Sequence, residues 1–390
     1  MRIASIDVLR ALTMLLMIWV NDFWTLSEIP KWLQHAGATE DYMGFSDVIF
    51  PLFLFIVGLS IPFAINNRLD KNESRGVIAR HILIRSFSLL LIGVYMVNLE
   101  TAHGDSIPGG KNLWGLLMAL AVSLIWMNWN RSPVPKKWHL PLQGAGFVIL
   151  IYLAWIYKGG AEGELWMTTQ WWGILGLIGW AYSFNALLYL YAKGNLLIML
   201  ISWLLLNFLA VLNFTDYAVQ SDGMLHLFST LYTGTIPAFT AAGIVATLIF
   251  RKLPQNKIGQ AYLILLSLGI VNIVYGLATR PVWGISKIQA SPSWLAICTG
   301  IGFLLFLMLY YVADIKKKVK WFRIIAAAGT ATLTCYMVPY FIYPIRDITG
   351  IRIPEFLKVS FLGLAISFGF ALLVVIFTGA LEKKGYTLKL

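Results

Sequence analysis

The residues best suited to acid–base chemistry are His35, in a polar stretch, and Asp47, at the head of the long apolar run that follows, "SDVIFPLFLFIVGLSIP". A neutral imidazole accepts a proton near physiological pH, and a neighbouring carboxylate fixes its tautomer and raises its basicity. Asn21, at the end of the preceding apolar run, adds a neutral hydrogen-bonding partner, and Asp22 follows it. A second set is cationic. Arg10 stands one helical turn after Asp7 in "SIDVLR", and Arg80 and Arg85 flank His81 in "RHILIR". Guanidinium groups suit an anionic ligand, and capping the end of a membrane helix accounts for them as well. On residue types alone, a solvated loop His35 and a simple Asp7–Arg10 ion pair stand beside the functional readings.

These side chains must be carried by membrane helices. Of 390 residues, 59% are hydrophobic and 12% charged, and the mean hydropathy is +0.74, far from the roughly 25% charge of a soluble domain. Runs free of charge and near the roughly 20 residues that cross a bilayer cover 48–67, 112–130, 138–157, 165–192, 194–215, 223–250, 258–279, 288–313, 324–345 and 359–381. Segments 6–24 and 76–98 carry Asp7, Arg10, Arg80 and Arg85 near their starts, and the first also holds Asp22 near its end. The fold class expected is an all-α polytopic bundle of twelve transmembrane helices. The absence of strand-like alternation argues against a barrel. The first run lacks a small-residue cleavage site and reads as an uncleaved helix.

The formal net charge of +12 follows the membrane rule rather than marking a nucleic-acid surface. With the N-terminus inside, Arg2, Arg251, Lys252, Lys257 and the "KKKVK" loop fall on one side, while Glu28, Glu40, Asp41, Asp105, Asp216 and Asp222 fall on the other. Both termini are therefore expected in the cytoplasm, and the acidic outer rim suits a cationic substrate. Cys298 and Cys335 show no metal spacing and read as packing residues; no metal site is expected. No internal repeat of the transporter kind is visible, and no nucleotide-binding loop or hydrolase elbow occurs. The glycines in "GILGLIGWAYSF" suit close helix packing, and Pro339 and Pro344 suggest a kink.

The sequence resembles the transmembrane acyltransferases related to heparan-α-glucosaminide N-acetyltransferase, and especially their compact bacterial branch, formerly a domain of unknown function. The resemblance rests on "SIDVLRALTMLLMIWVN", on "HA" at His35 and Ala36, and on "SDVIFPLFLFIVGLSIPFAI". "IRSFSLLLIGVYMVN" and "ISKIQASPSWLAICTG" add to it. It is dense over residues 1–100 and looser beyond. It implies one acyltransferase domain over 1–390, with 165–215 as an additional helix pair, in a bacterial inner membrane. It further implies transfer of acetyl from cytoplasmic acetyl-CoA to the amine of a glucosamine-type sugar, such as a heparan-like glycan end, at the outer face.

By the same resemblance His35 is the catalytic base, Asp47 its partner and Asn21 a supporting donor. Arg10, Arg80 and Arg85 would hold the CoA phosphates, with Asp7 beside Arg10 in the same cofactor-binding set, and Asp22 and Lys287 would contact the acceptor. Lipid and a second copy of the chain are the further partners expected. The reading from another class is a secondary transporter or flippase for a sugar or glycan intermediate, with His35 and Asp47 as its proton relay.

Overall fold

A computed structural model describes residues 3–215, 223–252 and 258–390. Arg2, Asp216, Asp222 and Lys257, used above in the charge distribution, lie outside them. Every regular element among the described residues is helical. In chain order these are α1 Ala4–Asn21, α2 Ser46–Leu69, α3 Arg75–Glu100, α4 Gly110–Trp126, α5 His139–Ile156, α6 Gly173–Tyr191, α7 Leu196–Leu212 and α8 Ser229–Tyr232. There follow α9 Thr235–Lys252, α10 Ile258–Trp283, α11 Pro292–Leu309, α12 Ala326–Thr330, α13 Thr332–Met337, α14 Pro339–Ile348 and α15 Ser360–Lys383.

Among the described residues nine helical segments are long and apolar enough to cross a membrane, or ten if one bent pair counts as a span; the chain is a multi-pass membrane protein. The other three of the twelve expected runs are shorter or bent. α4 and α7 are apolar helices of 17 residues each, at the lower end of the length that crosses a bilayer. The expected run 324–345 breaks, its arms Trp321–Thr330 and Thr332–Ile348 meeting at 84°. The break falls at Ala331, with φ −121° and ψ 47°, and not at the prolines. Pro339 opens α14, where its missing N–H costs nothing, and Pro344 lies inside that helix.

The chain divides into two compact units, the first Met1–Thr13, Pro30–Phe87 and Leu177–Trp321, the second Met14–Ile29, Ser88–Gly176 and Phe322–Leu390. At the centre of the first, α2 packs on α9 at backbone distance. A Cβ added at Gly58 would meet the Thr240 carbonyl, and one at Gly243 the Phe55 carbonyl, so only glycine allows this crossing. Thr240 and Thr247 donate to the Leu54 and Leu59 carbonyls at 3.1 and 2.9 Å, which fixes the rotation of α2 and hence of the loop leading into it. α10 and α11 pack similarly through Gly269, Gly276 and Gly300. In the second unit, the expected small-residue contact appears where Gly93 meets the backbone at Gly176 and Trp172. Asn98 there ties Thr168 on both sides of its amide.

Candidate active site

The loop before α2 is tied down by its backbone. Phe45 N–H donates to the Trp32 carbonyl at 2.7 Å and Ser46 N–H to Leu33 at 3.2 Å, with the Ser46 hydroxyl adding a bond to the Leu33 carbonyl at 2.5 Å. Gly44 lies against the Gln34 carbonyl so closely that no Cβ fits. This reversal folds the loop back over the first turn of α2 and brings His35 beside Asp47.

His35 Nδ1 lies 2.7 Å from Asp47 Oδ1. Asp47 Oδ2 accepts from the Ala36 and Gly44 N–H groups at 3.0 and 3.1 Å. The Asp47 side chain is 1% exposed and that of His35 is 42% exposed. A carboxylate can only accept, so the shared proton sits on Nδ1 and a neutral imidazole keeps its lone pair on Nε2. The arrangement is a base held in one tautomer by a carboxylate that is itself fully hydrogen-bonded.

Lys287 completes the group. Its Nζ is 3.1 Å from His35 Nδ1 and 3.7 Å from Asp47 Oδ1. The sequence marked Lys287 as an acceptor contact; the structure brings it to the inner side of the imidazole, beside the carboxylate. Burial pushes its ammonium below the usual lysine value, and the charge of Asp47 partly offsets this.

The segment bearing Lys287 is rigidly held. Ser291, the N-cap of α11, accepts from Ser286 N–H at 3.0 Å and Trp294 N–H at 3.3 Å, and donates to Gly284 at 3.0 Å. Trp294 in turn donates from its indole to the Asp47 carbonyl at 3.1 Å, joining α11 to the first turn of α2. The two loops are latched by Asp41, which accepts from Ile285 N–H at 2.6 Å and from Arg280 Nε at 2.9 Å. These bonds, the backbone one foremost, hold the Asp41 carboxyl below the ordinary range. Glu40 pairs instead with Lys31 at 2.8 Å. Sequence reasoning set Asp41 aside with Glu40 as solvent-facing rim; no local signal separates them.

The other expected residues are dispersed. Arg10 donates to Ser60 at 2.7 Å and pairs with Asp7 at 3.3 Å, the ion pair the spacing suggested. Arg85 lies over the Tyr182 ring at 4.9 Å, and Arg80 is exposed on α3. Five residues of α-helix turn roughly 140°, so Arg80 and Arg85 project from different sides of α3. Asn21 and Asp22 belong to the second unit. Asn21 ends α1 and is exposed, while Asp22 is buried and accepts from the Tyr343 hydroxyl at 2.7 Å. Cys298 and Cys335 are free and buried, and no cluster suited to a metal occurs among the described residues.

Fold and site together define a multi-pass helical membrane protein with an oriented, solvent-accessible histidine at the head of a buried helix. A family model described as the catalytic region of heparan-alpha-glucosaminide N-acetyltransferase matches residues 2–178, and through this stretch the chain is related to that family. The match takes in His35 and Asp47; Lys287 lies beyond it. Heparan-alpha-glucosaminide N-acetyltransferase of Mus musculus is 30% identical over 146 residues, covering 35% of this chain and 21% of the relative. The Homo sapiens protein of the same name is 29% identical over 126 residues, covering 31% and 18%. The chain thus aligns with only about a fifth of the length of these relatives.

Proposed function

We propose that the protein is a membrane-embedded N-acetyltransferase that moves acetyl from acetyl-CoA to the amine of an amino sugar, with His35 as general base. The observation that carries this is the pairing of His35 with Asp47, which leaves Nε2 as an exposed base of fixed orientation. The relation to the acetyltransferase family over residues 2–178 supplies the reaction class.

A protonated sugar amine is no nucleophile. His35 Nε2 takes one proton from the ammonium, the freed amine nitrogen bonds to the thioester carbonyl carbon, and the C–S bond breaks as the second amine proton passes to the leaving sulfur, giving the amide and CoA thiol; the proton held on Nε2 then leaves to solvent. Asp47 holds the imidazole in the tautomer this needs and balances the positive charge it gains. The single histidine of the site favours direct transfer over an acetyl-histidine route. The donor's phosphates suit the guanidinium groups of the first unit, with Arg80 and Arg85 exposed and Arg10 fixed by Ser60. A bacterial inner membrane, with both termini in the cytoplasm and the acceptor presented from outside, completes the reading.

The test is purified protein with labelled acetyl-CoA and a panel of amino sugars. Labelled N-acetyl product from a glucosamine-type acceptor supports the reading. Accumulation of unmodified sugar inside vesicles, with no acetylated product, would replace it with the transporter.

A further inference from the structure

The carboxylate that orients His35 also bears on its charge. A buried carboxylate 2.7 Å from an imidazole favours the imidazolium, and a cation beside the same nitrogen opposes it while the orienting hydrogen bond stays in place. The nearest cation is Lys287, whose Nζ lies 3.1 Å from His35 Nδ1 and 3.7 Å from Asp47 Oδ1.

We propose that Lys287 is a positioning residue for catalysis: its cation shares the charge of Asp47 and keeps His35 neutral, so that Nε2 is a free base. With Lys287 charged, the neutral-imidazole state of the group carries no net charge and the imidazolium state carries one positive charge in a half-buried place. Without it, the imidazolium state of the group is the neutral one, and the balance moves toward it. The geometry is specific. Lys287 approaches Nδ1, the nitrogen already committed to Asp47, and so leaves the working nitrogen unobstructed. Its segment is held by Ser291, by Asp41 through Ile285 and by Gln289, which donates to the Ala38 carbonyl at 3.1 Å.

The other ionisable groups around this one are accounted for on each packed element. From α11, Cys298 is buried with its sulfur 3.7 Å from Met43 Sδ and 4.0 Å from the Asp47 carbonyl. On the loop before α2, Glu40 pairs with Lys31 and Asp41 with Arg280. Lys287 is the cation that contacts both members of the pair.

The role rests on His35 being the base, and a titration that needs no turnover keeps the two ideas separable. The protein holds five histidines, so ring-15N-labelled histidine with His35→Gln as the assignment control lets His35 be followed by NMR. The expected result is that Lys287→Met, and equally Lys287→Gln, moves the pH at which His35 takes up its proton upward by about 1–3 units. The acid limb of the acetyl-transfer pH profile moves with it, and Lys287→Arg restores both. A His35 midpoint unchanged in Lys287→Met and Lys287→Gln would overturn the proposal, as would loss of activity equal at every pH or confined to the acceptor KM. A moved midpoint in a protein that transfers no acetyl would uphold the effect of Lys287 on His35 and refute the proposed reaction instead.

Discussion

Two buried carboxylates sit at helix ends and are built for different work. Asp47, in the first turn of α2, accepts from an imidazole and from two backbone N–H groups. Asp22, just past the end of α1, accepts from a phenol, and Tyr343 itself is flanked by the Trp24 ring at 5.6 Å and the Arg346 guanidinium at 5.4 Å. A phenol hydroxyl committed to a carboxylate has no second nitrogen to offer as a base, so we propose that the Asp22 pair is a structural tie within its unit rather than the acceptor contact expected of Asp22. An imidazole bound through Nδ1 still presents Nε2. A buried carboxylate becomes part of a reaction centre through its partner, and burial by itself does not distinguish the two.

The comparison breaks most visibly at Asp47. Asp47→Ala leaves His35 unoriented and two buried N–H groups without an acceptor, at about 1–3 kcal/mol each. Both a lower thermal unfolding midpoint and complete loss of transfer are expected. Asp47→Asn sharpens the point, since the amide still fills the space. Its NH2 group facing Nδ1 forces the proton onto Nε2, and turnover should fall by about 10²–10⁴-fold with little change in melting. Wild-type turnover in Asp47→Asn would show that the carboxylate does not set the tautomer.

At the second carboxylate the expected effect is on stability alone. Tyr343→Phe removes a hydrogen bond to a charged group, at about 1.5–3 kcal/mol, while turnover per folded molecule stays within about twofold. A Tyr343→Phe protein that melts normally but fails to transfer acetyl would place the Asp22 pair in the reaction and erase the distinction.

The smallest effect belongs to Asp41. Its ion pair with Arg280 is largely exposed, so Asp41→Asn should cost about 0.2–1 kcal/mol. Because the folded Asp41 carboxyl is depressed, its contribution is present above the ordinary value of about 3.9 and is lost as pH falls through the lower folded value. Unfolding midpoints of wild type and Asp41→Asn should converge over that acidic window.

How far the sequence revealed this follows from the range of each interaction. The charge-free runs located the helices, because a membrane demands apolar length locally. His35 and Asp47 could be picked out by chemical type and by their place at the mouth of an apolar run. Lys287 was legible as a residue worth watching, but its approach to Nδ1 depends on contacts 252 positions away in the chain. The latch made by the exposed loop residue Asp41 was hidden for the same reason, since the amide it holds is 244 positions distant. The sharp turn at Ala331 was illegible for another reason. Prolines give the strongest local signal for a kink, and here one begins a helix and the other is tolerated inside it.

The central claim is tested most directly by His35→Ala, with acetyl-CoA binding and acetyl transfer to an amino sugar measured on the same purified sample. The account predicts donor binding close to wild type and transfer reduced by about 10²–10⁴-fold. Transfer at the wild-type rate in that variant would contradict it.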